Sequence, residues 1–227
     1  MINNSRQFHI DPSQMNNDAA TIKVGELYKQ MTSVLRLHTG DEVRFFDGVG
    51  NVSDCTIAHV GKDGIIAKVD TQRIQPRGRE MTLAVGILKK DRMRWVLEKA
   101  TELGVWNIVP MISERVIKRP STVPPRWNHI VKEAAEQAGR AWLPQIESVQ
   151  SFHDVLQSRD NIVLCDVETQ FQIGECPKGV STLMIGPEGG FTKDEVSAAE
   201  SGGACIASLG EHQLRADTAV VVALSRL

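Results

Sequence analysis

The chain has 227 residues, of which 41% are hydrophobic and 24% are charged, as is ordinary for a globular protein of one or two domains. No apolar run approaches the roughly 18 residues that a membrane-spanning helix needs, and the first residues lack the apolar core of a signal peptide. We therefore expect a cytoplasmic protein with no membrane contact. The four cysteines show no Cys-x-x-Cys spacing, which predicts reduced thiols and no metal site.

The net charge of −2 conceals a strong asymmetry along the chain. Residues 72–140 hold 14 Lys and Arg against 7 Asp and Glu, whereas residues 141–227 hold 5 against 12. A basic middle beside acidic ends is typical of a protein whose basic face meets a polyanion. The alternative is a solvated charged surface.

The first part of the chain reads as β structure. Strands are predicted at 42–46, 52–60 and 65–69, separated by Gly, Asp and Asn turns and not interrupted by an amphipathic helix. The polar stretch 71–79 contains a proline and a glycine and is the predicted linker. These features predict a small barrel-like β domain over residues 1–72.

Residues 73–227 alternate between apolar strands and helices. Their order along the chain is strand 82–88, helix 91–103, strand 107–112, helix 126–138, strand 162–165, strand 181–185, a helix with a capping box at 192–195, strand 204–209 and a helix from about 217. Such alternation predicts a parallel sheet that is covered by helices on both faces.

Two loops follow neighbouring predicted strands and are the best candidate for a ligand site. One runs from Gly186 to Gly190 and the other from Leu209 to Leu214. Strand-end loops of a parallel sheet meet at its carboxyl edge, and glycines leave backbone groups open to a ligand. We expect positive φ angles at Gly189 and Gly210. A phosphate-binding P-loop is excluded because Phe191 occupies the position of its second glycine.

The sequence Gly186-Pro187-Glu188-Gly189-Gly190-Phe191, together with Leu209-Gly210 and Leu214-Arg215 before Thr218-Ala219, resembles the trefoil-knotted SPOUT class of methyltransferases. Within that class these sequence motifs are similar to those of the RsmE-type 16S ribosomal RNA (uracil-N3)-methyltransferases. Further matches occur in order along nearly the whole chain: Val34-Leu35-Arg36, Phe46-Asp47-Gly48, Lys99-Ala100-Thr101-Glu102-Leu103-Gly104-Val105, Ser113-Glu114-Arg115, Arg126-Trp127 and Glu133 to Arg140. The departures are Gln30-Met31, where a histidine is frequent, and Ala216-Asp217 in place of Thr-Glu.

The resemblance implies an α/β fold: a C-terminal trefoil-knotted SPOUT domain with a parallel sheet at 73–227 and an N-terminal PUA-like β-barrel at 1–72. It implies methylation of N3 of a uridine in 16S ribosomal RNA by S-adenosylmethionine (SAM), with the small ribosomal subunit as partner and a homodimer as the working form. The implied cofactor-binding residues are Ile185, Gly186, Pro187, Glu188, Gly189, Gly190, Leu209, Gly210, Leu214 and Thr218.

Catalytic residues follow from the chemistry of uracil N3. That nitrogen carries an imide proton, so a site must stabilise negative charge on O2 and O4, and Arg215 is the predicted stabiliser. Glu188 is the second predicted catalytic residue. The identity of a base stays open among Glu102, Glu133 and Glu188, and a nearby guanidinium that lowers the imide pKa could replace a base.

The predicted RNA-binding residues are mostly arginines: Arg6, Arg36, Arg92, Arg94, Arg115, Arg126, Gln137 and Arg140. Of these, Arg126 and Gln137 lie with Glu133 on one polar stripe of the helix 126–138. Arg140 follows the end of that helix and continues the same stripe. The last helix carries six consecutive apolar residues at 219–224, more than one buried face requires, which favours a homodimer.

Other functions remain as alternatives at this stage. One is a different SPOUT activity, such as methylation of a ribose 2′-O or of a tRNA base. Another is a non-catalytic RNA-binding factor in ribosome assembly, against which the two cofactor-type loops argue. A nucleotide hydrolase would need a Lys-Ser/Thr pair or paired carboxylates for Mg²⁺, which the glycine turn lacks.

Overall fold

The structure, a computed structural model, describes residues 6–227 and divides into two compact units. The first unit reaches to Arg77 and also contains Ala135–Leu143, and the second contains Gly78–Ala134 and Pro144–Leu227. The boundary after residue 72 stays a prediction. No helix in the described part of the chain has the length and apolar character needed to cross a membrane.

The first unit is built on one five-stranded sheet. Its elements are β1 (Arg6–His9), β2 (Ala19–Lys23), the short helix α1 (Glu26–Lys29), β3 (Glu42–Phe46), β4 (Asn51–Gly61) and β5 (Gly64–Ile74). The strand order is β1-β3-β4-β5-β2, with antiparallel pairs except for the parallel pair β1–β3. The sheet is curled into a half-barrel, in agreement with the barrel-like β domain that the sequence predicts.

Alternating apolar residues make the core of this unit, since successive side chains of a strand point to opposite faces. Phe8, Phe45, Ile57 and Ile65 are all buried in one cluster. The predicted strands at 42–46, 52–60 and 65–69 are confirmed, but β5 continues to Ile74 through part of the predicted linker.

Side-chain bonds to β4 explain why the polar end of β5 is a strand. Gln72 Nε2 donates to Ser53 Oγ at 3.3 Å, and the Arg73 guanidinium pairs with the Asp54 carboxylate. Asp54 also pairs with Arg44. Burial alone would raise the pKa of Asp54, but bonds from Arg44 and Arg73 outweigh it and lower that pKa.

The segment Ala135–Leu143 joins the first unit although it follows a helix of the second in sequence. Gln75 binds this segment through both its side chain and its backbone. The Ala141 N–H donates to Gln75 Oε1 at 2.7 Å, and Trp142 Nε1 donates to the Gln75 carbonyl at 2.9 Å. Ala135, Ala141 and Leu143 of the segment pack with Phe46 and Val52. Because these partners are more than sixty residues apart, no local sequence pattern indicates the contact.

The second unit is a parallel sheet with helices. Its elements are β6 (Thr82–Gly86), α2 (Lys90–Glu102), β7 (Asn107–Ile112), α3 (Arg126–Ala138, whose last turn belongs to the first unit), β8 (Gln145–Ile146), β9 (Gln150–Ser151), α4 (Phe152–Ser158), β10 (Ile162–Cys165), β11 (Thr182–Ile185), α5 (Lys193–Ser201), β12 (Cys205–Ala207) and α6 (Ala216–Arg226). The strand order is β12-β10-β11-β6-β7-β8, β9 also pairs with β7, and every pair is parallel.

Helices cover both faces of this sheet, as the alternating pattern predicts. Leu83 and Val85 of β6 lie in a cluster with α2, α3 and α6, whereas Ala84 between them lies in the cluster with α4 and α5. Burial on both faces explains why the strands read as continuous apolar runs. The α/β class is confirmed, and so is the Thr192–Glu195 capping box that begins α5. The apolar residues at the ends of two helices, Leu103 after α2 and Ala138 in the last turn of α3, are exposed.

Candidate active site

A cavity of about 290 Å³ lies in the second unit where β10, β11 and β12 end. Parallel strands bring these three carboxyl ends to one edge of the sheet, so three loops converge there. The lining residues are Arg115, Cys165, Asp166, Val167, Glu168, Ile185, Gly186, Pro187, Glu188, Gly189, Gly190, Phe191, Leu209, His212, Gln213, Leu214, Ala216 and Ala219. Eight of the ten residues predicted to bind the cofactor are among them.

The loop after β11 is compact because glycines let its backbone pass close to other backbone. A Cβ added to Gly86, at the end of β6, would lie 2.5 Å from the Pro187 nitrogen, and one added to Gly186 would lie 3.0 Å from the Gly190 carbonyl carbon. The Gly190 N–H donates to the Pro187 carbonyl at 2.9 Å and closes the turn. The positive φ of this loop belongs to Gly190, at 68°, so its expected position at Gly189 is wrong.

Glu188 lines the cavity, but its carboxylate also meets the beginning of α2. Its Oε1 accepts the Lys89 N–H at 3.3 Å and lies 3.7 Å from Arg92 Nη1. A carboxylate at a helix N-terminus interacts favourably with the unpaired N–H groups and the helix dipole. Glu188 is therefore placed to fix the glycine loop against α2, and its predicted catalytic role stays a prediction.

Arg115 follows β7 and holds the opposite side of the glycine loop. Its Nη1 donates to the Gly189 carbonyl at 2.7 Å, and a Cβ on Gly189 would lie 3.3 Å from the Arg115 side chain. The sequence pattern predicted an RNA-binding residue here. The structure places this guanidinium in the lining of the cavity as well.

The loop after β12 supplies an apolar wall. Leu209 and Leu214 both line the cavity, whereas Gly210 and Thr218 lie outside its lining. Gly210 adopts the expected positive φ, at 134°, and its N–H bonds with Ser208 Oγ at 3.2 Å. Arg215 is the N-cap residue of α6; it is exposed and does not line the cavity.

Sequence reasoning missed the third loop, which follows β10. Cys165, Asp166, Val167 and Glu168 line the cavity, and the Glu168 N–H donates to Asp166 Oδ1 at 2.7 Å. The signal was available, because β10 was predicted as a strand of the same parallel sheet and its carboxyl end had to reach the same edge. His212 and Gln213 also line the cavity; they lie within the predicted loop 209–214 but were not among the predicted cofactor-binding residues.

The candidate RNA-binding residues are divided between the two units. Arg6, Arg36, Gln137 and Arg140 belong to the first, and Arg92, Arg94, Arg115 and Arg126 to the second. Most of them are exposed, but Arg140 is half-buried, and burial lowers its pKa to about 10.

Two of the candidate bases lie outside the cavity lining. Glu102 accepts from Lys99 Nζ at 2.7 Å, and Glu133 Oε1 lies 3.4 Å from His129 Nε2. Across residues 6–227, no group of three or more His, Cys, Asp or Glu is arranged to hold a metal ion.

Comparison with known proteins identifies the family. A family profile described as an RNA methyltransferase domain matches residues 75–227, and one described as an RNA methyltransferase PUA domain matches residues 26–70. Two relatives named ribosomal RNA small subunit methyltransferase E are each 31% identical: that of Bacillus subtilis over 94% of this chain and 92% of its own, and that of Rickettsia conorii over 86% and 83%.

Solved structures agree with the sequence matches. The enzyme of the same name from Neisseria gonorrhoeae, solved with bound S-adenosyl methionine, is 28% identical, has a TM-score of 0.87 and covers 97% of this chain and 95% of its own. A probable rRNA-methyltransferase from Porphyromonas gingivalis is 26% identical with a TM-score of 0.84, covering 97% and 95%. The predicted fold class, a SPOUT domain with a PUA-like domain before it, is confirmed. This chain belongs to the RsmE family of RNA methyltransferases.

Proposed function

We propose that this protein transfers the methyl group of SAM to N3 of a uridine in small-subunit ribosomal RNA. The observation that carries the proposal is the cavity itself, in which three strand-end loops combine backbone groups, an apolar wall and three carboxylates. Membership of the RsmE family supports the same reaction and the same polymer as substrate.

The residues of the cavity fit SAM. Ile185, Leu209 and Leu214 offer apolar surface for an adenine ring, and the glycine loop offers peptide groups for its polar edge. Asp166 and Glu168 are carboxylates on the same lining, suited to ribose hydroxyls or to the positive charges of the cofactor. When bound, SAM supplies a methyl group that its sulfonium makes electrophilic.

The chain must then orient the uracil and favour loss of its N3 proton. Arg215 is the residue we assign to the developing charge on O2 or O4, because a fixed guanidinium stabilises such charge and lowers the pKa of the imide. It begins α6, directly after Leu214 in the cavity wall. Glu188 remains the candidate second catalytic group, placed on the lining but bonded toward Lys89 and Arg92.

The RNA would be held by the exposed arginines of both units, which makes binding depend on salt. The PUA-type domain and the basic region 72–140 support a polyanionic substrate.

We also propose a homodimer: Val221, Val222 and Leu224 of α6 remain partly exposed beside the buried Val220 and Ala223. Because its substrate would be ribosomal RNA, we place the protein in the cytoplasm.

The test is methylation of defined substrates with labelled SAM, followed by mapping of the modified base. We expect the label on N3 of one uridine of the small-subunit RNA, in either the naked 16S RNA or the 30S subunit. Label on a ribose 2′-O or on tRNA would instead assign the other SPOUT activities. SAM binding in calorimetry with no transfer to either substrate would favour the non-catalytic assembly factor.

A further inference from the structure

Two cysteine thiols of the second unit lie against each other beside the cofactor loops. Cys176 follows the short 3₁₀ turn Ile173–Glu175, and Cys205 is the first residue of β12. Their sulfurs are 2.7 Å apart, although 28 residues separate them in the chain. Both side chains are partly buried, and neither lines the cofactor cavity.

The backbone around the pair fixes this approach. The segment between β10 and β11 is bonded to the end of β12 at three points: the Asp166 N–H to the Ala207 carbonyl at 3.0 Å, the Ile173 N–H to the Ser208 carbonyl at 3.0 Å, and the Ser208 N–H to the Phe171 carbonyl at 2.7 Å. The Cys176 N–H donates in turn to the Ile173 carbonyl at 3.2 Å. These backbone hydrogen bonds hold the two segments that carry the sulfurs side by side.

We propose that Cys176 and Cys205 are a dithiol that closes to an intramolecular disulfide when hydrogen peroxide oxidises it. One sulfur attacks the peroxide, the O–O bond breaks, and a sulfenic acid and water form. The second thiol attacks that sulfenic sulfur, the S–S bond forms, and the hydroxyl leaves as a second water. The two thiols lose two electrons and two protons, and the peroxide is reduced to two waters.

Burial raises the pKa of Cys176 to about 12, and the bond with Cys205 adds to that shift. The disulfide that forms is the same whichever sulfur reacts first. The choice of pair rests on the contact between the sulfurs of Cys176 and Cys205. Burial raises the pKa of Cys55 to about 12 and raises that of Cys165 as well, so these values do not distinguish the four cysteines.

A bond at this place would tie the segment between β10 and β11 to β12. The start of that segment, Asp166 to Glu168, and Leu209 after β12 line the cofactor cavity. A cross-link that already suits the native geometry restricts the unfolded chain more than the folded one. We expect the oxidised protein to be more stable and to keep its cofactor affinity, because the sulfurs lie outside the cavity lining.

The experiment treats the full chain with one equivalent of hydrogen peroxide, removes the excess with catalase, alkylates the free thiols and digests it for mass spectrometry. We expect a peptide linked through Cys176 and Cys205, two alkylatable thiols in place of four, and a melting temperature higher by about 5 to 10 °C that dithiothreitol reverses. Cys176→Ser and Cys205→Ser should each lose the linked peptide and the shift, while the matched control Cys55→Ser should retain both.

If one serine variant fails to fold, the other variant and the thiol count of the wild-type protein still show whether the disulfide between Cys176 and Cys205 forms. Four free thiols after treatment, a link that includes Cys165, or a disulfide between two chains would overturn the proposal. Neither RNA nor methyl transfer enters this test, so its outcome is independent of the function proposed above.

Discussion

The loops after β11 and after β10 line the same cavity but contribute in different ways. The loop after β11 acts through shape: it carries glycines where backbone approaches backbone, and its predicted residues Ile185 to Gly190 all line the cavity. The loop after β10 contributes charge through Asp166 and Glu168, and no sequence motif marked it. A loop that needs glycine leaves a recognisable pattern, whereas a loop that needs only a carboxylate does not, since acidic residues are common on every surface.

Arg215→Ala tests the part of the site that lies outside both loops, and we expect it to have the largest effect. Turnover should fall by about 100- to 1,000-fold because a stabiliser of transition-state charge is lost. SAM affinity, measured by calorimetry, should remain close to wild type because Arg215 does not line the cavity. Arg215→Lys should recover part of the rate. Loss of SAM binding with normal turnover at saturating cofactor would make Arg215 a binding residue.

Gly86→Val tests the shape of the loop after β11. The new side chain would require space that the Pro187 nitrogen occupies, 2.5 Å from the added Cβ, so the loop has to move. Overpacking of this kind costs about 1 to 3 kcal/mol, and we expect SAM affinity to fall by about 10- to 100-fold. Gly78→Val is the matched control, because nothing lies within 4 Å of a Cβ at that position. Unchanged affinity in a folded Gly86→Val protein would remove the shape argument.

Asp166→Asn tests the charge of the loop after β10. The amide oxygen of Asn can still accept the Glu168 N–H, so the turn is kept while the negative charge is removed. We expect SAM to bind about 10-fold more weakly, as for the loss of one charge-assisted hydrogen bond. The control Asp160→Asn changes an exposed carboxylate before β10 and should bind normally. Equal affinities for the two variants would mean that this loop contributes only its backbone.

Arg115→Ala should have the smallest effect on SAM affinity. It tests a residue that contacts the loop after β11 and also carries a charge for RNA binding. It removes the bond to the Gly189 carbonyl, and since Arg115 is exposed we expect SAM affinity to fall by only about 2- to 5-fold. RNA affinity should also become less dependent on salt by about one phosphate contact. Arg94→Ala, which removes an exposed arginine paired with Glu98 in the same unit, should affect RNA binding alone. A loss of RNA affinity with no change in SAM affinity for Arg115→Ala would make the Gly189 contact incidental.

Most regular elements of the second unit could be predicted because the local pattern and the tertiary environment agree there, although the short elements β8, β9 and α4 were not predicted. The helix predicted at 126–138 has those bounds in the structure, and the apolar strand 162–165 is β10. The fine conformation of loops was less predictable. A glycine run does not say which member has the left-handed φ, and the positive value fell on Gly190 because the bond to the Pro187 carbonyl closes the turn there.

The first unit was harder to predict because its contacts join distant parts of the chain. The polar stretch after residue 70 reads as a linker, yet Gln72 and Arg73 continue β5 by bonding to β4. The segment Ala135–Leu143 reads as the end of a helix of the second unit, yet Gln75 and the cluster around Phe46 hold it in the first. Removing residues 1–71 would take away Phe46 and Val52, against which this segment packs, so the shortened chain would not test an independent module.

The sequence by itself determined the α/β class, the RsmE family and the glycine loop of the candidate site, because each depends on residues that are close together and chemically restricted. Only the tertiary structure decided the rest: that Asp166 and Glu168 share the cavity with that loop, that Glu188 meets the beginning of α2, and that Cys176 reaches Cys205. These contacts arise from the parallel order of the strands, which brings separated segments to one edge of the sheet. Their residue types carry no local conformational signature, so only the fold could bring them together.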